Sequence, residues 1–191
     1  MKKGCLVFIG ILVLLIIIGG SWFISGYNRV VILDEEVNKQ WAQIDVVLQR
    51  RYDLIPNLVN TVKGYAAHEK GLFTEVTRLR SQWAAAGSRD DKIKAARGME
   101  GAISKLLLVT ENYPDLKASE NFLSLQAQLE GTENRIAVQR MRYNEAARNF
   151  NAYIRTFFGG FFARIRGLTK PVPYFEIENK AKEVPKVDFT S

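Results

Sequence analysis

Cysteine and histidine are nearly missing from this chain: Cys5 and His68 are the single examples among 191 residues. One cysteine excludes an intrachain disulfide, so cysteine usage says nothing about redox compartment. Cys5 also precedes the long apolar run, whereas a lipoprotein cysteine would follow one, and it is expected to be a bystander. A lone histidine leaves no Glu-x-x-His or His-x-x-x-His pair to hold a metal, even with Asp45, Asp53 and Glu133 available as carboxylates. Beside Glu69 and Gly71, His68 reads as a helix-end cap or a surface residue. No serine stands in a Gly-x-Ser-x-Gly setting, and no glycine-rich loop opens a helix to cradle phosphate; Gly159-Gly160 has no such context. No catalytic residue, cofactor or metal ligand is therefore expected.

Proline is scarce as well, with five in the chain and few in its middle, and no Val/Thr-rich alternation bounded by turns is visible. That combination favours an all-α fold. Charge of one sign is also limited. The net charge is +7, and setting aside Lys2 and Lys3 leaves 25 basic against 20 acidic residues, or +5. A surplus that small, spread over several helices, describes a solvated surface and excludes a nucleic-acid footprint.

What the chain does have is one long apolar run. Cys5 to Ile24 carries fourteen Leu, Ile, Val or Phe residues and no charge. At roughly −0.4 kcal/mol each they favour bilayer insertion by about 5–6 kcal/mol, before Gly and Ser are set against them. Twenty helical residues span about 30 Å, the thickness of the hydrocarbon layer. A cleaved signal peptide is the competing reading, supported by Lys2, Lys3 and the small residues Gly19, Gly20 and Ser21. Against it, the apolar run is too long and resumes at Trp22, Phe23 and Ile24. Residues 1–26 are therefore expected to be an uncleaved, single-pass anchor in the cell (inner, cytoplasmic) membrane. Lys2 and Lys3 precede it, while Asp34, Glu35 and Glu36 follow soon after Arg29. The positive-inside rule then places the N-terminus in the cytoplasm and the domain outside.

Beyond the anchor, apolar or aromatic positions recur at Val30, Leu33, Val37, Trp41, Ile44, Leu48, Tyr52, Ile55, Val59, Val62 and Ala66, always three or four apart. That is the period of a straight α-helix. Pro56 keeps the phase, so a kink is expected near Tyr52 to Pro56, with a full break as the alternative. A second helix reads from Lys70 to Ala86 and a third from an N-cap at Ser88, with Ile93, Ala96, Met99, Ile103, Leu106 and Thr110 on its apolar face. Tyr113-Pro114 stops the third, and Ser119 opens a long fourth that carries the spacing from Phe122 to Phe157. The expected fold is all-α: an N-terminal transmembrane helix, then an antiparallel four-helix bundle over residues 27–158. Two of its helices are long, about 40 residues, and two are shorter. Residues 159–191 form a membrane-proximal segment and an irregular tail. Across the junction, from Phe157 to Arg166, Phe157, Phe158, Phe161 and Phe162 stand beside Arg164 and Arg166, a composition suited to lipid headgroups or to covering the open end of the bundle.

Antiparallel pairing brings Arg51 near Glu133, Asp53 near Asn134, and Trp41 near Tyr143 and Asn144. With Asp45 and Asn57, these polar groups form a mid-bundle layer. Unpaired burial would cost several kcal/mol, so the layer is either a register-setting network or a polar partner site. Trp41, Trp83, Tyr65 and Tyr143 are expected in the core.

Several blocks of this sequence carry a family likeness. They are Gln43-Ile44-Asp45, the run from Arg50 to Val59, Lys63 to Ala66, Asn112 to Leu116, Phe122 with Leu125-Gln126, Thr132 to Ile136, Arg142-Tyr143-Asn144 and Tyr174-Phe175-Glu176. Together they resemble the signature of the LemA family across about Tyr27 to Phe189. One departure is Phe157-Phe158, where the family more often has Phe-Pro, and it bears on where the last helix ends. The resemblance implies a bacterial single-pass membrane protein with a helical-bundle domain and no agreed enzymatic activity. It adds one partner class, membrane proteases of envelope quality control. The expected function is a non-catalytic, membrane-anchored scaffold or adaptor of the bacterial envelope, able to self-associate. A membrane-surface or lipid-interacting envelope-stress module is the alternative, and a hydrolase with cryptic chemistry the third reading.

Overall fold

Six α-helices and no strand make up residues 2–66 and 68–176, the part of the chain described by a computed structural model, in which the side chains of residues 2, 3 and 5 are excepted. They are α1 (Lys2–Lys63), α2 (Lys70–Ala85), α3 (Arg89–Thr110), α4 (Pro114–Lys117), α5 (Glu120–Arg155) and α6 (Phe157–Arg166). The all-α class and the long apolar N-terminal helix hold. The expected bystander role of Cys5 and the irregular tail beyond residue 176 lie outside the described part. The chain divides into two compact units, Met1–Ala42 with Arg142–Val172, and Gln43–Met141 with Pro173–Ser191.

In the first unit, α1 carries an 18-residue apolar window with none of its residues buried, long enough to cross a membrane. Past it, Val30 and Val37 are buried, as are Tyr143, Ala146, Ala147 and Phe150 on α5. The two helices run antiparallel here. The Tyr153 hydroxyl donates to the Gly26 carbonyl at 3.1 Å, and Trp41 meets Tyr143 edge to face with ring centroids 5.5 Å apart. Asn151, 3% exposed, holds the chain after α6 with a pair of bonds: its Nδ2 donates to the Val172 carbonyl at 2.9 Å, and its Oδ1 accepts from the Val172 amide at 2.7 Å.

The apolar spacing carries the last long helix to Phe157, but α5 stops at Arg155 and a separate helix begins. Thr156 is extended (φ −73°, ψ 158°), and its Oγ1 accepts from the Gly159 amide at 3.0 Å, an N-cap that starts α6. A Cβ on Gly159 would lie 2.0 Å from the Tyr153 carbonyl oxygen, so only glycine permits this corner. Gly167 closes α6 in the left-handed region (φ 70°), with the Leu168 amide bonded to the Ala163 carbonyl at 2.9 Å. Residues 159–166, expected irregular, are therefore helical.

In the second unit the apolar faces converge much as their spacing predicts. Ile44, Leu48, Tyr52, Ile55 and Val62 of α1 are buried, with Leu58 replacing Val59 in the core. Phe73, Val76, Leu79 and Trp83 of α2 and all six predicted positions of α3 are buried as well. Each large side chain so buried contributes about 1.5–3 kcal/mol. The helices α2 and α3 form an antiparallel hairpin, with Glu75 reaching Lys105 (3.6 Å), Leu79 against Gly98, and Trp83 beneath the Lys92 ammonium (5.0 Å to the ring centroid). Ser88 caps α3, its Oγ accepting from the Asp91 amide at 3.1 Å. Pro56 sits inside α1 without ending it. It removes the helical donor for the Tyr52 carbonyl, a local loss that the buried residues on both sides of it outweigh. Of the expected core aromatics, Trp83 and Tyr143 are buried and Trp41 is half-buried, but Tyr65 is not: α1 ends at Lys63, Gly64 and Tyr65 form a turn, and Tyr65 is 48% exposed.

Candidate functional site

Two places concentrate chemistry, one in each unit. In the second unit, α1 carries Asp45 and Arg51, the latter next to a buried Tyr52. The Arg51 guanidinium donates through Nη1 to Glu133 of α5. Its side chain is 10% exposed and that of Glu133 37%, so the cation is the desolvated partner. No protein acceptor reaches Arg51 Nε. Asp45 accepts from the Lys92 ammonium of α3 through both carboxylate oxygens, at 2.7 and 2.9 Å.

The Tyr52 ring stacks on Trp83, with centroids 4.5 Å apart and planes 16° from parallel. A cavity of about 530 Å³ opens beside the stack, lined by Gln49, Asp53, Arg80, Ser81 and Lys92 among others. Tyr52 is 2% exposed and its hydroxyl has no protein partner. Burial pushes the phenol well above its ordinary value, and the Arg51 charge offsets only part of that. At neutral pH the hydroxyl is therefore a neutral donor.

The second place is where α6 meets α1 at the end of the apolar window. Phe162 is 1% exposed and packs on Trp22 (5.6 Å between centroids) and Phe23 (5.3 Å), its ring so close to α1 that a Cβ on Gly26 would lie 2.1 Å from its Cε2. Phe158 meets Trp22 edge to face at 4.9 Å. The Arg166 guanidinium lies over the Tyr27 ring (5.2 Å to the centroid) and donates to its hydroxyl at 2.9 Å.

Of the polar groups singled out from sequence, the structure joins Arg51 to Glu133 as the antiparallel register requires, and gives Asp45 to Lys92. Asp53 is exposed and accepts from Gln49 of its own helix at 2.8 Å. Asn57 and Asn134 are exposed, while Asn144 is half-buried in the first unit. Of the membrane-proximal group, Phe162 is buried; Phe157, Phe158, Phe161, Arg164 and Arg166 are exposed. Sequence reasoning missed Lys92, Gly26 and Asn151, whose partners lie far away in the chain. A lysine at the start of a helix, a glycine after a span and an asparagine late in a helix carry no local signal of those contacts. Among the described residues no three His, Cys, Asp or Glu side chains converge on one point, and His68 is exposed.

An exposed apolar helix joined to a helical body with ion pairs within it defines a membrane-associated, all-α protein. The LemA family model matches residues 40–189, and the chain belongs to the LemA family. It is similar to magnetosome protein MamQ 2 of Paramagnetospirillum magneticum, 28% identical over 185 residues, covering 83% of this chain and 67% of the relative. It is also similar to magnetosome protein MamQ of Magnetospirillum gryphiswaldense, 26% identical over 185 residues with the same coverage (83% and 67%). Protein LemA of Metamycoplasma hominis is 25% identical over 184 residues, covering 95% of this chain and 82% of the relative.

Proposed function

We propose that this protein is a non-catalytic, single-pass membrane-anchored scaffold of the bacterial cell envelope, holding its helical body out as a docking surface for a membrane partner or a second copy of itself. The observation that carries the reading is α1, one helix of 62 residues that includes both the apolar window and core residues of the helical body. The same helix thus carries the anchor and contributes to the core of the soluble part, which suits a membrane-tethered protein. Val138 and Met141, 43% and 65% exposed and one turn apart on α5, offer an apolar contact on that body. The carboxylates best placed for chemistry, Asp45 and Glu133, are engaged with Lys92 and Arg51, which supports a structural role and not turnover. Membrane proteases and other envelope proteins are the partner class, and the N-terminus faces the cytoplasm.

Photo-crosslinking in cells tests this, with benzoylphenylalanine at Val138 or Met141 and, as a control, at exposed Gln128. The reading predicts one recurrent adduct, to a membrane protein or to a second copy, from Val138 and Met141 and not from Gln128. Monomer alone from all three positions would remove it.

A further inference from the structure

The helix α6 exposes four large apolar side chains beside the apolar window. Phe157 is 85% exposed, Phe158 54%, Ile165 50% and Phe161 48%. At about 100° per residue these four fall within one arc of about 100°. Arg164 lies about 20° outside one edge of that arc and Arg166 about 80° outside the other, and between residues 146 and 175 the chain has five basic residues and no acidic one. The opposite side of α6 is docked: Phe162 and Ala163 are buried with Val30, and Tyr27, Tyr153, Ile154 and Leu168 pack around them. The exposed arc is therefore not the side that holds α6 to the protein. It begins where Trp22 contacts Phe158, near the end of the apolar run of α1.

We propose that α6 is an interfacial helix lying on the surface of the same bilayer that α1 crosses, and that its ligand is anionic lipid. Phe157, Phe158, Phe161 and Ile165 enter the boundary between headgroups and acyl chains, and Arg164 and Arg166 meet lipid phosphates. Ten residues with two arginines would bind a bilayer only weakly alone. Here α1 already holds them beside it, so little translational freedom remains to be lost. The packing of Phe162 on Gly26 fixes which side of α6 faces lipid. The device sets the depth and tilt of α1 and makes both depend on anionic lipid. The inference rests on α1 being a membrane span, so the test reports on that too.

The full chain with Cys5→Ser is given single cysteines at Phe161, Ile165, Leu14 or Glu145, labelled with nitroxide, and reconstituted in phosphatidylcholine liposomes with and without phosphatidylglycerol. Collision rates with oxygen and with a water-soluble nickel chelate give depth. Labels at Phe161 and Ile165 are expected to be shielded from nickel but shallower than Leu14, with Glu145 open to water. Arg164→Gln and Arg166→Gln should each lower the preference for phosphatidylglycerol about fivefold, equivalent to the roughly 1 kcal/mol a basic residue gains at an anionic surface. Labels at Phe161 and Ile165 open to nickel while Leu14 is shielded would overturn the interfacial helix and leave the anchor standing. An open Leu14 would overturn the anchor and the inference with it.

Discussion

Tyr52 sits at a balance between packing and desolvation. It contributes a large stacked ring to the core and a polar group without a protein partner. Removing such a hydroxyl relieves a desolvation cost, so Tyr52→Phe is expected to leave stability unchanged or raise it by up to about 1 kcal/mol in urea unfolding. The pH dependence follows from the direction of the shift. The folded phenol is raised above its unfolded value of about 10, so its contribution is fully present below that pH and is lost as pH rises beyond it. Comparing the two proteins at pH 8 and 11 should show a smaller alkaline loss for the variant. Glu36 behaves oppositely: bonds from Gln40 (2.7 Å) and Lys39 (3.2 Å) hold its carboxyl below the ordinary value, a small contribution that disappears in acid. The ion pair of Arg51 with Glu133 is a stronger case. Glu133→Gln leaves a nearly buried guanidinium without its counter-charge and should cost about 1–3 kcal/mol, less than for a fully buried pair because Glu133 is partly solvated. The double variant Arg51→Met with Glu133→Leu should recover most of that loss, and urea unfolding of the single and double variants checks both.

Among the elements, α1 and α3 were the most legible from sequence. Their apolar positions follow the helical period over many turns, and every predicted core position of α3 is buried. The register between α1 and α5 was close enough to pair Arg51 with Glu133 because both helices keep one apolar period over many turns. The break at Thr156 was not legible. Phe157 continues the spacing of α5, and what ends that helix is a threonine cap and the close approach of Gly159 to Tyr153, which periodicity does not register. The docking of α6 rests on Gly26 in the same way. Gly26→Ala places a methyl against the Phe162 ring and should weaken docking by about 1–3 kcal/mol, seen as faster hydrogen exchange of the α6 amides. Adding Phe162→Leu should restore part of the protection.

For the molecule as a whole, one uncharged apolar run and helical periodicity elsewhere were enough to set the all-α class and its long apolar N-terminal helix. The polar groups were harder to place, since exposure of Asp53, Asn57 and Asn134 depends on which side of a helix the neighbours cover. The protein's proposed role depends most on α1 holding it in a membrane. Alkaline carbonate extraction of bacterial membranes measures this directly, because it strips peripheral proteins and leaves integral ones in the pellet. The intact chain is expected in the pellet, and the chain with Leu12, Leu14 and Ile16 changed to lysine in the supernatant, since each charge at a span centre costs about 2.5–3.5 kcal/mol. Release of the intact chain into the supernatant would contradict the account.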